Sequence, residues 1–350
     1  MTDRDRWGLR GPVQTCDLKR TWYFRQCGAE ACETQERGDA TQCEFRRDGS
    51  LIRRRHRNPD GSEWIVDHEY DAMGRLTTVR ADNGSGRVDV QASEYDAAGR
   101  LSRRIARAAD GSERISETYT YDAAGRQKKT VYVDQAAQRP NTQYSWSVEG
   151  TDALYSAPGA ATLTTTYDSQ EHPIELLFHN ADGRLLSRVE FRYDKGGRLI
   201  EEAQSKTGDG VPPEFLARMN SAQIETVLGL MGGGESSRRL HRYDAQGRRV
   251  ETHGRLGPIG ENRKTVSYNE RGDPVGEINE DESREYAIDE QGGLAAKPGS
   301  EKVSRSEARI HYEYDPRGNW VKKVVESRGA TTQEFTTASV ESRTLTYYVD

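Results

Sequence analysis

Seven times along this chain a tyrosine is followed four residues later by glycine, in the order Tyr-Asp-x-x-Gly-Arg or a close variant. The copies begin at Tyr70, Tyr95, Tyr121, Tyr193, Tyr243, Tyr268 and Tyr314. A self-match at fixed period constrains architecture before any single residue is read, because each repeat is one unit packed on its neighbours. Tyr70 to Tyr95, Tyr95 to Tyr121 and Tyr243 to Tyr268 are steps of 25, 26 and 25 residues, and Tyr193 to Tyr243 is 50. Tyr144 and Tyr167 fall near the steps missing between Tyr121 and Tyr193, and Phe45 sits one period before Tyr70.

Each repeat reads as two antiparallel strands. In Tyr95-Asp96-Ala97-Ala98-Gly99-Arg100, Asp opens a type I turn and Gly closes it with positive φ, the connection of a bulged hairpin. A second turn signal lies about half a period away, at Asp60-Gly61, Asn83-Gly84, Asp110-Gly111 and Asp182-Gly183. Between turns the residues alternate as strands do, as in Glu117-Thr118-Tyr119-Thr120-Tyr121. The chain is thus expected to be all-β: a repeat-built meander of roughly twenty strands, curling into a spiral or shell-like sheet. The recurrent arginines Arg75, Arg100, Arg126, Arg198 and Arg248 are placed to stack on tyrosine rings or pair with nearby carboxylates.

Tyr70–Leu76 (YDAMGRL), Tyr95–Leu101 (YDAAGRL) and Tyr193–Leu199 (YDKGGRL) carry the full motif, and the copies at Tyr121 (YDAAGRQ) and Tyr243 (YDAQGRR) lack only its Leu. Over roughly residues 43 to 325 the chain resembles the RHS/YD-repeat family. The resemblance implies a β-ribbon that spirals into a hollow shell. Such shells enclose cargo in toxin complexes and polymorphic toxins and serve as scaffolds in teneurins. At 350 residues this chain is short for a complete shell, and no toxin region follows its last repeat.

The array is expected over 45–350, preceded by a cysteine-containing hairpin at 1–44. Cys16, Cys27, Cys32 and Cys43 share one mirror centre, so a single antiparallel register sets Cys27 against Cys32 and Cys16 against Cys43. Two nested disulfides follow from that register; buried reduced thiols and a zinc site are the alternatives. No leader is visible in the polar segment Met1–Arg6, yet paired cysteines point to a secreted or cell-envelope setting. One segment breaks the pattern. Residues 211–234 open with Pro212-Pro213-Glu214, place Phe215, Leu216, Met219, Val227 and Met231 at helical spacing, and end in Gly232-Gly233-Gly234, which predicts a short helical insertion.

Leu, Ile, Val and Phe make up only 56 of the 350 residues, below the fifth that marks a globular core, so a thin sheet wet on both faces is expected. The formal net charge of −6 gives no reason to expect nucleic acid, and no stretch is long enough to insert in a membrane. No nucleophile elbow, zinc-protease helix or phosphate loop is present. The histidines are scattered, and His68, His241 and His311 read as strand residues. No catalytic residue, metal ligand or cofactor is therefore nominated. The expected role is a non-catalytic scaffold or binding protein, with Tyr70, Tyr95, Tyr121, Tyr193 and Tyr243 facing a carbohydrate or protein surface. The alternatives are a toxin-associated or cargo-enclosing component, or a hydrolase whose site is distributed across repeats.

Overall fold

The structure is a computed structural model. It describes residues 2–349 except 28–31, 85–87, 108–110, 133–144, 148–153, 158–159, 207–233, 257–259, 284–285, 289–293, 297–298 and 331–333. Among the described residues are 24 strands and one short helix, Asp3–Arg6. The chain divides into two compact units: residues 1–114, 274–276 and 307–350 form the first, and 115–273 with 277–306 the second.

In the first unit every strand is antiparallel to the next. The spatial order is Lys302–Tyr314, Trp320–Arg328, Thr336–Tyr347, Val13–Cys27, Cys32–Phe45, Leu51–Arg57, Glu63–Tyr70, Leu76–Asp82, Val88–Tyr95 and Leu101–Arg107. The last strand of the chain therefore lies beside the first. In the second unit the order is Glu113–Tyr121, Gln127–Tyr132, Thr162–Tyr167, Pro173–His179, Leu185–Tyr193, Leu199–Lys206, Gly234–Tyr243, Arg249–Leu256 and Gly260–Tyr268, again all antiparallel. The expected all-β meander is what forms. The helical insertion expected at 211–234 lies outside the described residues except Gly234, which begins a strand, and Tyr144 lies outside them too.

The turns form for the reasons their residues dictate. Asp71 N–H donates to the Arg75 carbonyl at 3.0 Å and Gly74 N–H to the Asp71 carbonyl at 3.0 Å. Asp71 Oδ1 accepts the backbone N–H groups of Met73 and Arg75, each at 2.9 Å. Gly74 has φ +79°, a region that costs a residue with a Cβ. Asp96, Asp194 and Asp244 make the same set of bonds. At each repeat tyrosine the strand register slips by one residue, as between Glu69–Thr78 and Tyr70–Leu76, so every turn carries a β-bulge. Tyr167 opens an eighth turn of this kind, with Glu171 at φ +69° in place of Gly and His172 in place of Arg.

Neighbouring repeats are joined by the tyrosine. Tyr95 Oη donates to the Leu76 carbonyl at 2.7 Å, which is the first strand residue after the preceding turn. Tyr70 does the same to Leu51, Tyr167 to Gln127, Tyr193 to Pro173, Tyr243 to Leu199 and Tyr268 to Arg249, all within 2.7–2.9 Å. The preceding turn's arginine lies over the same ring: Arg75 over Tyr95 at 4.6 Å, Arg198 over Tyr243 at 5.2 Å and Arg248 over Tyr268 at 5.1 Å. That arginine is in turn held by its own turn aspartate, Arg75 Nε to Asp71 Oδ2 at 2.7 Å. At the degenerate turn His172 stacks on Tyr193 at 4.6 Å and Nδ1 faces Asp168, so the imidazole replaces the guanidinium in both contacts.

Apolar cores are small. In the second unit Leu163, Leu176, Phe178, Val189, Phe191 and Leu199 bury each other with Tyr155. In the first, Leu9, Val13, Cys16, Cys43, Phe45 and Leu51 form a cluster at the strand ends near the first helix, and Trp7 packs against it. The cysteine register is the expected one, with Cys16 opposite Cys43 and Cys27 opposite Cys32. The expected Cys16–Cys43 disulfide is corrected: both are free, buried thiols. Burial among apolar side chains pushes the Cys16 thiol up to about 11 and Cys43 higher still, so each keeps its proton and packs as a small hydrophobe. The side chains of Cys27 and Cys32 lie outside the described set.

Three outcomes follow from this geometry. Gly99→Val places a β-branched residue at φ +79° and is expected to cost about 1–3 kcal/mol. Ala97→Val in the same turn, at an exposed site, should stay within about 0.5 kcal/mol. Glu171→Gly should stabilise by about 1 kcal/mol by removing a left-handed residue that carries a Cβ. Thermal or urea unfolding reads all three, and equal costs at Gly99 and Ala97 would reject the turn assignment.

Removal of one hydroxyl tests the link between repeats. Tyr95→Phe leaves the Leu76 carbonyl without its donor and should cost about 1 kcal/mol in denaturant unfolding. Met73→Ala, at a position 76% exposed, is the neutral control. An unchanged midpoint for Tyr95→Phe would show that the link carries no stability.

Alkylation tests the thiol assignment. With iodoacetamide at mildly alkaline pH, Cys16 and Cys43 should remain unlabelled in folded protein and become labelled on denaturation, as read by peptide mapping. Rapid labelling in the native state, or recovery of a Cys16–Cys43 disulfide peptide, would contradict it.

Candidate binding surface

The turns that follow the tyrosines all lie on one edge of their meander, because every repeat adds two antiparallel strands. Tyr70 and Tyr95 belong to the first unit, and Tyr121, Tyr193 and Tyr243 to the second. All five rings are half-buried. The hydroxyls of Tyr70, Tyr95, Tyr193 and Tyr243 are held by carbonyls of the preceding repeat. Burial raises their ionisation, Tyr70 to about 12 with Asp3 and Asp48 nearby adding to it, so they stay neutral donors across the physiological range. The turn aspartates beside them move the other way. Backbone and side-chain hydrogen bonds from Arg75 and Arg100 hold Asp71 and Asp96 below the usual carboxylate range. This edge is thus a row of ionised Asp–Arg pairs with tyrosine rings between them, able to offer ring faces and charge-assisted donors.

Two rows of carboxylate, imidazole and hydroxyl cross the strands. In the second unit His241 Nδ1 is 3.1 Å from Thr252 Oγ1, and its Nε2 is 3.4 Å from Glu202 Oε1. His241 and Glu202 are buried. In the first unit His56 Nδ1 is 2.8 Å from Thr41 Oγ1, and Nε2 is 3.8 Å from Asp39 Oδ2. His241 was expected as a strand residue and is one. Its partners could not be named from sequence because they come from different strands, 39 residues before it in one case and 11 after it in the other. Among the described residues no group of three or more His, Cys, Asp or Glu side chains is arranged to hold a metal ion.

Much of the remaining surface is a ladder of exposed ion pairs: Arg53–Asp67 at 2.6 Å, Arg57–Glu63 at 2.6 Å, Arg80–Glu69 at 3.0 Å and Arg107–Glu113 at 2.8 Å. Each is worth little in water, and together they keep strand faces wet and electrically balanced. No helix among the described residues is long and apolar enough to cross a membrane, a criterion that does not bear on strands.

Comparison with known proteins bears on the repeat. The RHS Repeat family matches residues 94–137. No curated protein matches the chain. Among solved structures, the crystal structure of TcdB2-TccC3-Cdc42 is similar over 85% of this chain at 12% identity and a TM-score of 0.26. The chain spans 19% of that neighbour's length. A porin-like protein from Bacteroides uniformis is similar over 96% of this chain and 98% of its own, at 12% identity and a TM-score of 0.33. The RHS match falls on the hairpins of Tyr95 and Tyr121, whose turn bonds and bulge recur at the other tyrosines, so the unit from which this chain is built is the RHS, or YD, repeat.

Proposed function

We propose that this chain is a non-catalytic scaffold that presents a β-surface to a carbohydrate or protein partner. One observation carries the reading: the recurring Tyr, Asp and Arg groups are engaged in joining one repeat to the next. What varies between repeats is the pattern of strand residues on the two faces, and recognition is assigned to those faces. The half-buried tyrosines Tyr70, Tyr95, Tyr121, Tyr193 and Tyr243 contribute ring edges to that surface. A secreted or envelope setting is part of the proposal. It rests on the repeat type, since the Cys16–Cys43 pair supplies no disulfide in its support. The RHS match favours one other reading, a toxin-associated component, and in that reading the partner is a protein.

The test is a binding screen of the whole chain against glycans, peptidoglycan fragments and extracts of candidate partner proteins, with turnover followed in parallel. Saturable binding without turnover is expected. Saturable turnover of any substrate that is lost on His241→Ala or another single substitution would overturn the proposal, as would the absence of saturable binding to every class.

A further inference from the structure

One face of the first unit gathers three of the five tryptophans of the chain, each with an arginine lying over it. Arg20 is 5.2 Å from the Trp22 ring centre, Arg54 is 4.5 Å from Trp64, and Arg343 is 3.4 Å from Trp320. The strand registers set these on one side of contiguous strands. Leu18, two residues from Arg20 and on its face, is opposite Arg343, Cys16 is opposite Cys43, and Cys43 is opposite Arg54. Arg37 is opposite Trp22, and Lys323 is opposite Glu341. Among the described residues of these strands the face carries five cations, Arg20, Arg37, Arg54, Arg343 and Lys323, against the carboxylates Asp39 and Glu341. It is locally basic in a chain of net charge −6.

A second observation points to a missing acceptor. Arg20 Nε, Arg54 Nε, and both Nε and Nη1 of Arg343 are buried donors without a hydrogen-bond partner. Arg343 makes one hydrogen bond, from Nη2 to the Trp7 carbonyl at 3.0 Å. Buried guanidinium N–H groups left unpaired are costly, and all three of these belong to the tryptophan-stacked arginines. The three tryptophans themselves are half-exposed.

Resting on the scaffold reading above, we infer that this face binds an acidic saccharide chain of the polyuronate class. The indoles offer flat apolar platforms for the C–H faces of sugar rings. The guanidiniums offer forked donors for a carboxylate. Strands lie about 4.8 Å apart, so the arginines recur across the face on the scale of successive sugar rings. Asp39 and Glu341 accept from sugar hydroxyls. The same two carboxylates oppose a nucleic-acid backbone, which calls for an unbroken basic track.

The experiment titrates the full chain with polygalacturonate and with alginate, reading tryptophan fluorescence, with neutral dextran and a single-stranded poly-dT as comparators. Quenching or enhancement that saturates with the polyuronates is expected. Their affinity should fall at least about tenfold as ionic strength rises from about 0.01 M to about 1 M. The double variant R20Q/R54Q should lose at least about tenfold in affinity, whereas R103Q, whose Glu94 partner makes an ion pair away from this face, should change it less than about twofold. Should R20Q/R54Q fail to fold by circular dichroism, the wild-type salt dependence and the preference over dextran decide the matter alone. Equal binding of dextran or poly-dT, or no fluorescence response to either polyuronate, would overturn the assignment. If a neutral glycan or a protein binds the chain while polyuronates do not, the face assignment fails and the scaffold reading stands. Turnover of a polyuronate would sink the scaffold reading itself.

Discussion

A three-residue relay holds this molecule together. A turn aspartate fixes the arginine four residues on, that arginine lies over the tyrosine of the next repeat, and the tyrosine hydroxyl returns to a carbonyl just past the first turn. Asp71, Arg75, Tyr95 and the Leu76 carbonyl form one complete link. The link is polar at each end and flat in the middle, so it works at a half-wet edge where a leucine contact would contribute less. It explains how a chain with so few large aliphatics, and a mean hydropathy of −0.94, still adopts ordered sheets. Stability in such an array is a sum of local terms, each repeat supported by its neighbours.

The relay also accounts for what the repeats conserve among themselves and what they leave open. Asp, Gly and Tyr recur because each has a conformational or hydrogen-bonding task that few residues perform. Where one is replaced, the task persists. Glu171 still adopts positive φ, and His172 still reaches both the turn aspartate and the next ring. Strand positions face no such demand and carry the variation: ion-pair ladders in one place, apolar clusters around Phe178 and Phe45 in others, and tryptophan–arginine pairs on one face.

The turns and the period were legible in the sequence because Asp and Gly spacing encodes a local conformation. The cysteine hairpin was legible for a similar reason, since one register satisfies both pairs. Whether Cys16 and Cys43 are oxidised was not legible. It depends on the apolar surroundings supplied by Leu9, Val13 and Phe45, and those surroundings keep both thiols protonated. The turn at Tyr167 escaped the motif count because it lacks both Gly and Arg. Cross-strand groupings were beyond sequence reading altogether. Glu202, His241 and Thr252 meet through two strand pairings, and Arg343 and Trp22 share a face although more than 300 positions separate them.

The pairing of Val13–Cys27 with Thr336–Tyr347 joins strands from opposite ends of the chain. Every other neighbour in that unit from Val13 to Arg107 is a hairpin partner, closed over a short turn as soon as it is made. The terminal pairing requires a loop of over 300 residues to close, so its entropy is set by chain length rather than by any turn. Until Thr336–Tyr347 arrives, one side of Val13–Cys27 is an unprotected strand edge with a full row of unpaired backbone groups. The same strand carries Trp22, Tyr23 and Phe24. During synthesis this edge is thus the part of the molecule exposed for longest to wrong partners, and the final strand acts as its seal.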